Sequence, residues 1–131
     1  MDTDIIFTRQ KHDAKKAGLH YDYRIVVGDK AYSFATRKNK PEPGKKIILW
    51  EQPVHTRSYA LSKKVEIPEG QYGAGTTVLD YVQKGKAQIG DDHYKLHLNN
   101  GESFTLKRMD PTKFGQGAWM FINTGKSEEN A

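Results

Sequence analysis

The sequence predicts a mostly β protein, a small closed antiparallel β-barrel of about eight strands with little helix. Three observations carry that expectation. Apolar residues recur at every second position in short runs, turn-forming residues separate those runs at close spacing, and no long stretch keeps a helical period. A chain of 131 residues holds one domain with one core rather than two. That domain is expected over residues 1–124, followed by a small polar tail, 125–131, expected to fray.

The first apolar run is Ile5–Phe7. Asp13–Gly18 is polar and reads as a single helical turn. Leu19–Val27 alternates as a strand, and Gly28-Asp29 turns it into Lys30–Thr36. Arg37 to Lys46 form a basic loop containing Pro41, Pro43 and Gly44, which either lies in solvent or borders a phosphate site. Lys46–Trp50 follows as a strand. Pro68-Glu69-Gly70 marks a turn before Thr76–Val82, and Lys86–Ile89, His93–Leu98, Ser103–Arg108 and Ala118–Asn123 complete the set. Asn99-Asn100-Gly101 between two alternating runs is a hairpin signal. The Gly-rich stretch Tyr72–Gly75 reads as a turn that lets backbones pass closely. It lacks the Gly-Lys-Ser/Thr ending of a nucleotide-binding loop. Trp50 and Trp119 read as packing residues.

Twenty-one basic residues against 16 acidic ones leave a net charge of +5, which favours polyanionic partners. With no cysteine, disulfides, thiolate metal sites and cysteine nucleophiles are excluded. No apolar run approaches the ~20 residues of a membrane helix. The acidic start Met1-Asp2-Thr3-Asp4 is unlike a signal peptide. A cytoplasmic location with no membrane partner is expected.

Chemistry concentrates near the start. On a strand, side chains two apart share a face, so His20, Asp22 and Arg24 form one row. Leu19, Tyr21, Tyr23, Ile25 and Val27 form the opposite, core-facing row. His12, just upstream across a turn, can fold back beside His20. Two histidines and a carboxylate make an open-sided divalent metal site, and Arg24 would then stand beside it to take a phosphate. The same row also reads as a solvated strand face or an ion-paired network, and spacing alone leaves both readings open. His93 and His97 read as surface residues.

The motifs Gln10-Lys11-His12-Asp13-Ala14, Leu19-His20-Tyr21-Asp22-Tyr23-Arg24 and Ile67-Pro68-Glu69-Gly70-Gln71-Tyr72-Gly73-Ala74-Gly75-Thr76 resemble those of the 3′-phosphoesterase domain of bacterial DNA ligase D, also found as a stand-alone protein in bacteria and archaea. Weaker matches are Ser33-Phe34-Ala35-Thr36-Arg37-Lys38 and His55 with Tyr59. The resemblance runs from about Phe7 to about Ile122. It implies a compact barrel that uses manganese, or another divalent cation such as zinc or cobalt, to trim 3′ ends of primer–template DNA or RNA–DNA. A terminal ribonucleoside is removed to leave a 3′-phosphate, and that phosphate is removed to leave a ligatable 3′-hydroxyl. By motif match, His12, His20 and Asp22 are the implied metal ligands. Arg24 and Lys38 are implied to grip the scissile phosphate, with His55 and Tyr59 opposite. Lys46 and Gln10 are implied to contact substrate. A DNA ligase is an implied partner.

Departures from the pattern are several. The His12–His20 interval is longer than usual, Val54 and Thr56 flank His55 where Asp and Pro are usual, and Arg37 replaces a Pro. The family's N-terminal motif R-D-F-x-x-T-x-E-P has no counterpart here. A narrower activity, one surviving step, or a binding role is therefore expected. Three functions stand: a metal-dependent 3′-end phosphoesterase; a weak or inactive barrel of the family that binds DNA and positions a ligase or repair enzyme; and a basic barrel that binds single strands through charge and exposed aromatics. The first is favoured, because a pure binder has no use for that mixture of His, Asp, Arg and Lys.

Overall fold

A computed structural model of the chain describes residues 2–126. Nine strands form one antiparallel sheet: β1 (Asp2–Ala14), β2 (Gly18–Val27), β3 (Lys30–Thr36), β4 (Lys46–Thr56), β5 (Lys64–Ile67), β6 (Gly75–Ile89), β7 (His93–Leu98), β8 (Glu102–Arg108) and β9 (Ala118–Lys126). The strand order is β1-β2-β3-β4-β9-β8-β7-β6-β5, and β1 also pairs with β6. That extra pairing closes eight strands into a ring, with β5 attached to β6 outside it. The expectation of a mostly antiparallel β fold of about eight strands with little helix is met. Among the described residues the helices are two single turns, α1 (Arg57–Ala60) and α2 (Pro111–Phe114).

Several elements differ from the sequence reading. Asp13–Gly18 is not helical: β1 runs through Ala14 and a tight turn at 15–17 leads into β2. Pairing of β1 with β2 on one side and β6 on the other holds Asp13 and Ala14 extended. The runs Thr76–Val82 and Lys86–Ile89 are one strand, because β1 pairs with β6 along its whole length. Gly85 suits this continuity, since a Cβ there would lie 2.3 Å from the His97 carbonyl oxygen. Strand β9 includes Gly125 and Lys126, the first two residues of the expected tail. Residues 127–131 lie outside the described ones. The expected hairpin at Asn99–Gly101 is present, with the Asn100 side chain accepting from the Glu102 amide.

Alternation sorts the side chains. Tyr23 and Ile25 of β2 join Phe7, Phe34, Leu49, Phe104, Trp119 and Phe121 in the main core. Phe121 packs edge-on to Tyr23 at 5.1 Å between centroids, a favoured aromatic geometry. Trp119 packs as expected and donates its indole N–H to Glu51 at 2.8 Å. Leu19 departs from its assigned core row: it lies beside the hairpin turn and is exposed. Residues of the opposite row, Asp22, Arg24 and Val26, are also buried. The reason is a second cluster of Ile6, Val26, Ala31 and Ala60, in which α1 caps the outer face of β1–β3. The outer face is therefore covered by apolar side chains at one end, and the buried polar groups Asp22 and Arg24 are enclosed beside it.

Candidate active site

Strand register assembles the site. In the β1–β2 hairpin His12 stands opposite His20, and Gln10 opposite Asp22. Ser33 of β3 stands opposite Arg24. An irregularity in the β3–β4 pairing lies between Ala31 and Ser33, and His55 lies opposite Ala31. Thr56 then caps α1 by accepting from the Tyr59 amide, and the Tyr59 ring stacks on His55 at 4.5 Å.

One donor atom from each of His12, His20 and Asp22 lies within 4.8 Å of the others. His12 Nδ1 is 3.0 Å from one Asp22 oxygen, and His20 Nε2 is 3.4 Å from the other. Arg24 Nη2 is 4.0 Å from the same carboxylate. The second nitrogen of His12, Nε2, is 2.7 Å from the Gly73 carbonyl oxygen. Both ring nitrogens of His12 thus face acceptors. Burial works to raise the Asp22 pKa, but hydrogen bonds from His12 and His20 and the charge of Arg24 outweigh it and hold the carboxyl well below its usual range. The hydrogen bond to Asp22 pushes His12 up. Two imidazoles and an ionised carboxylate are a donor set for a borderline divalent cation, and their spacing fits one. Binding would replace the two His–Asp hydrogen bonds with ligation.

Arg24 is buried and held on three sides. Its Nε donates to Ser33 Oγ at 3.0 Å, its Nη1 donates to Gln10 Oε1, and its guanidinium lies 5.0 Å from the Tyr59 ring centroid. Gln10, itself fully buried, donates to the Tyr59 carbonyl at 2.9 Å. Burial lowers the Arg24 pKa from its very high ordinary value. Burial, aided by the charge of Arg24, pushes His55 down. Burial pushes Tyr59 up.

His12, His20, Asp22, Arg24, His55 and Tyr59 all line one cavity of about 710 Å³. Lys38 and Lys46 do not. They line an adjoining groove of about 930 Å³, which shares Ala17, His20, Gln52 and Tyr72 with the cavity. Gln10 lines neither; its contacts are to Arg24 and to the backbone of α1. His93 is exposed, and His97 pairs with Ser103 at 3.1 Å, away from the cluster.

Sequence reasoning missed two contributors. Ser33 orients Arg24, and the backbone of Gly73 orients His12. The Gly-rich motif was legible as a close-approach turn, and so it is. A Cβ at Gly75 would lie 2.1 Å from the Asp13 carbonyl oxygen, where β6 meets β1. A Cβ at Gly73 would lie 3.2 Å from His12 Cε1. What the motif did not reveal is that this turn folds over the cluster and supplies an acceptor.

A ring-closed antiparallel sheet that carries a His-His-Asp cluster beside a buried arginine defines the class. Residues 10–108 match the family described as the DNA ligase D 3′-phosphoesterase domain, and the chain belongs to that family. It is similar to the multifunctional non-homologous end joining protein LigD of Mycolicibacterium smegmatis, 37% identical over 76 residues. That match covers 56% of this chain and 9% of the relative, so the chain spans a small part of the relative's length. Among the described residues, no helix is long and apolar enough to cross a membrane.

Proposed function

We propose that this chain is a divalent-cation-dependent phosphoesterase that removes 3′-terminal ribonucleosides, 3′-phosphates or both from DNA ends, leaving ligatable 3′-hydroxyls for end joining. One observation carries the reading. In a member of this family, the His12–His20–Asp22 cluster and Arg24 share a cavity wide enough for a nucleotide terminus. Manganese, zinc and cobalt all suit the donor set. A DNA ligase is the proposed partner, and the domain, expected over 1–124, is proposed to extend to the end of β9.

His12, His20 and Asp22 would hold the cation. When bound, it supplies Lewis acidity toward a phosphoryl oxygen and lowers the pKa of water. The chain's own residues do the rest. Arg24 presents donors in a fixed plane to the phosphate, and its preorganisation by Gln10, Ser33 and Tyr59 means little reordering is needed as negative charge grows. Lys38 and Lys46, in the adjoining groove, contribute positive charge to neighbouring phosphates.

His55 makes no side-chain hydrogen bond among the described residues and burial favours its neutral form, so its ring can accept the proton of the attacking water. The P–O bond to the leaving oxygen breaks on the side opposite the water, that oxygen takes a proton from solvent, and His55 gives up its proton to solvent to close the cycle. For a 3′-phosphate the products are a 3′-hydroxyl and inorganic phosphate. For a terminal ribonucleoside they are the free nucleoside and a 3′-phosphate. Tyr59 holds the His55 plane by stacking and shields Arg24.

The test is a gel assay with manganese on primer–templates ending in one 3′ ribonucleotide or in a 3′-phosphate. Wild type should shorten or dephosphorylate the primer, and His20→Ala should not; the product pattern shows which step this chain performs. If neither protein acts and both retard the DNA equally, the chain is a DNA-binding member of the family and the catalytic reading is lost.

A further inference from the structure

The adjoining groove is built on the same outer face as the cluster. Strand register aligns Asp22 with Ala35 and Ala35 with Trp50, so Trp50 sits two strands from the carboxylate, about 10 Å away by inter-strand spacing. Trp50 was expected to pack, yet it is 45% exposed. Phe114 of α2, at 43%, and Tyr72, at 85%, line the same groove. Arg37, Lys38 and Lys46 border these rings, and no acidic side chain lines the groove among the described residues. Neither lysine forms a salt bridge among the described residues. Unpaired cations interleaved with exposed aromatic faces suit a chain of phosphates and bases, because stacking needs only a π-face and the phosphates need only positive charge.

We infer that this groove is a stacking site for the unpaired nucleotides just before the processed 3′ terminus, with Trp50 and Phe114 as base platforms and Lys38 and Lys46 on the intervening phosphates. The inference rests on the phosphoesterase reading for the direction of the strand, but not for its binding. The groove and the cavity share Ala17, His20, Gln52 and Tyr72 as walls, with the Tyr72 hydroxyl donating to Gln52 Oε1 at 3.1 Å between them, so a strand whose end lies at Arg24 would pass this pair to run along the groove. The consequence is specificity: the last few nucleotides must be single-stranded or frayed, since bases stacked on Trp50 and Phe114 cannot stay in a duplex stack. Tyr72, at the tip of the turn whose Gly73 holds His12, stands where the strand passes from groove to cavity.

Two measurements separate the outcomes. In chelator, where nothing turns over, fluorescence anisotropy of a 5′-labelled oligothymidylate about eight nucleotides long reads binding alone. Trp50→Ala and Phe114→Ala should each weaken Kd by on the order of tenfold, and Trp50→Phe should restore most of the loss. Lys38→Gln should lower the salt slope by about one. In manganese, the ratio of kcat/KM for a 3′-phosphorylated octamer over a dinucleotide should fall in the two alanine variants by a similar factor. If Kd and that ratio are unchanged in both variants, the groove is not a base platform, even though hydrolysis persists. If no substrate is hydrolysed by wild type but the anisotropy losses appear, the phosphoesterase reading fails and the stacking site stands.

Discussion

Gln10→Leu is the most informative single perturbation of the site's scaffold. Gln10 lines neither the cavity nor the groove, so its effect on the site passes through Arg24 and α1. Leucine approximates the volume of glutamine, and the change therefore removes polar contacts without opening a large void. The lost contacts are one hydrogen bond to a charged guanidinium, about 1.5–3 kcal/mol, and one neutral bond to the Tyr59 carbonyl, about 0.5–1.5 kcal/mol, with a longer bond to the Ser62 carbonyl at 3.4 Å that adds little. The Tyr59 carbonyl keeps a bond from the Ser62 amide at 3.2 Å, which places the neutral term at its low end.

The expected destabilisation is roughly 2–4 kcal/mol, or a midpoint shift of about 1–2 M in urea with an unchanged slope. Chelator must be present, so that cation binding does not mask the loss. Arg24 would keep Ser33 Oγ but lose its buried anchor on Gln10, and kcat/KM should fall by about tenfold to a hundredfold through looser positioning. A Gln10→Leu protein within about 0.5 kcal/mol of wild type, with full activity, would refute the claim that Gln10 preorganises Arg24.

Further outcomes follow from the same geometry. Gly75→Ala should be severely destabilising, by more than about 3 kcal/mol, because the added methyl collides with the Asp13 carbonyl at a φ of +144. Gly70→Ala, with a φ of +87 but open space around it, should cost only about 1–2 kcal/mol, and equal melting temperatures for the two variants would contradict this. Arg24→Lys should lose about a hundredfold in kcat/KM, since an ammonium cannot reach Ser33, Gln10 and a phosphate together; retention of activity would show that charge alone suffices. Burial works to raise the Glu102 pKa, but Lys40, Tyr81 and Asn100 outweigh it and lower it. Its contribution to stability is therefore present above the unfolded carboxyl value near ~4.3 and is lost as pH falls through the folded value. Glu102→Gln should be less stable at pH 7 and show a flatter acid limb in thermal melts from pH 7 to 2, and parallel curves would exclude that role.

Much of this protein was legible in order along the chain. Alternation from Leu19 to Val27 put His20, Asp22 and Arg24 on one face, and the structure keeps those three together in one cavity while Leu19 leaves the core row. Turn residues at Gly28-Asp29 and Asn99–Gly101 marked hairpins where hairpins occur. Period-two patterning is a local property, so a single sequence reveals it. The foldback of His12 onto His20 was also readable, since a short turn between two strands leaves the chain little choice but an antiparallel pair. The helical turn at Asp13–Gly18 was misread for a related reason: a polar segment's conformation is set by its pairing partner, and that partner, β6, lies some sixty residues downstream.

Sequence by itself determined the donor types, their shared face and the positive charge that favours polyanions. Only tertiary structure decided which of the assigned residues meet. Ring closure through β1 and β6 brings the Gly73 carbonyl to His12, and α1 covers Gln10 so that it braces Arg24 from within. Strand register sets Lys46 and Trp50, and the loop leaving β3 sets Lys38, in a groove beside the cluster rather than in the cavity with it. Those placements depend on contacts between segments far apart in the chain, and the loop-closure entropy they cost is repaid only when the whole ring is formed. A sequence read residue by residue carries the pattern of each strand but not the register between distant ones.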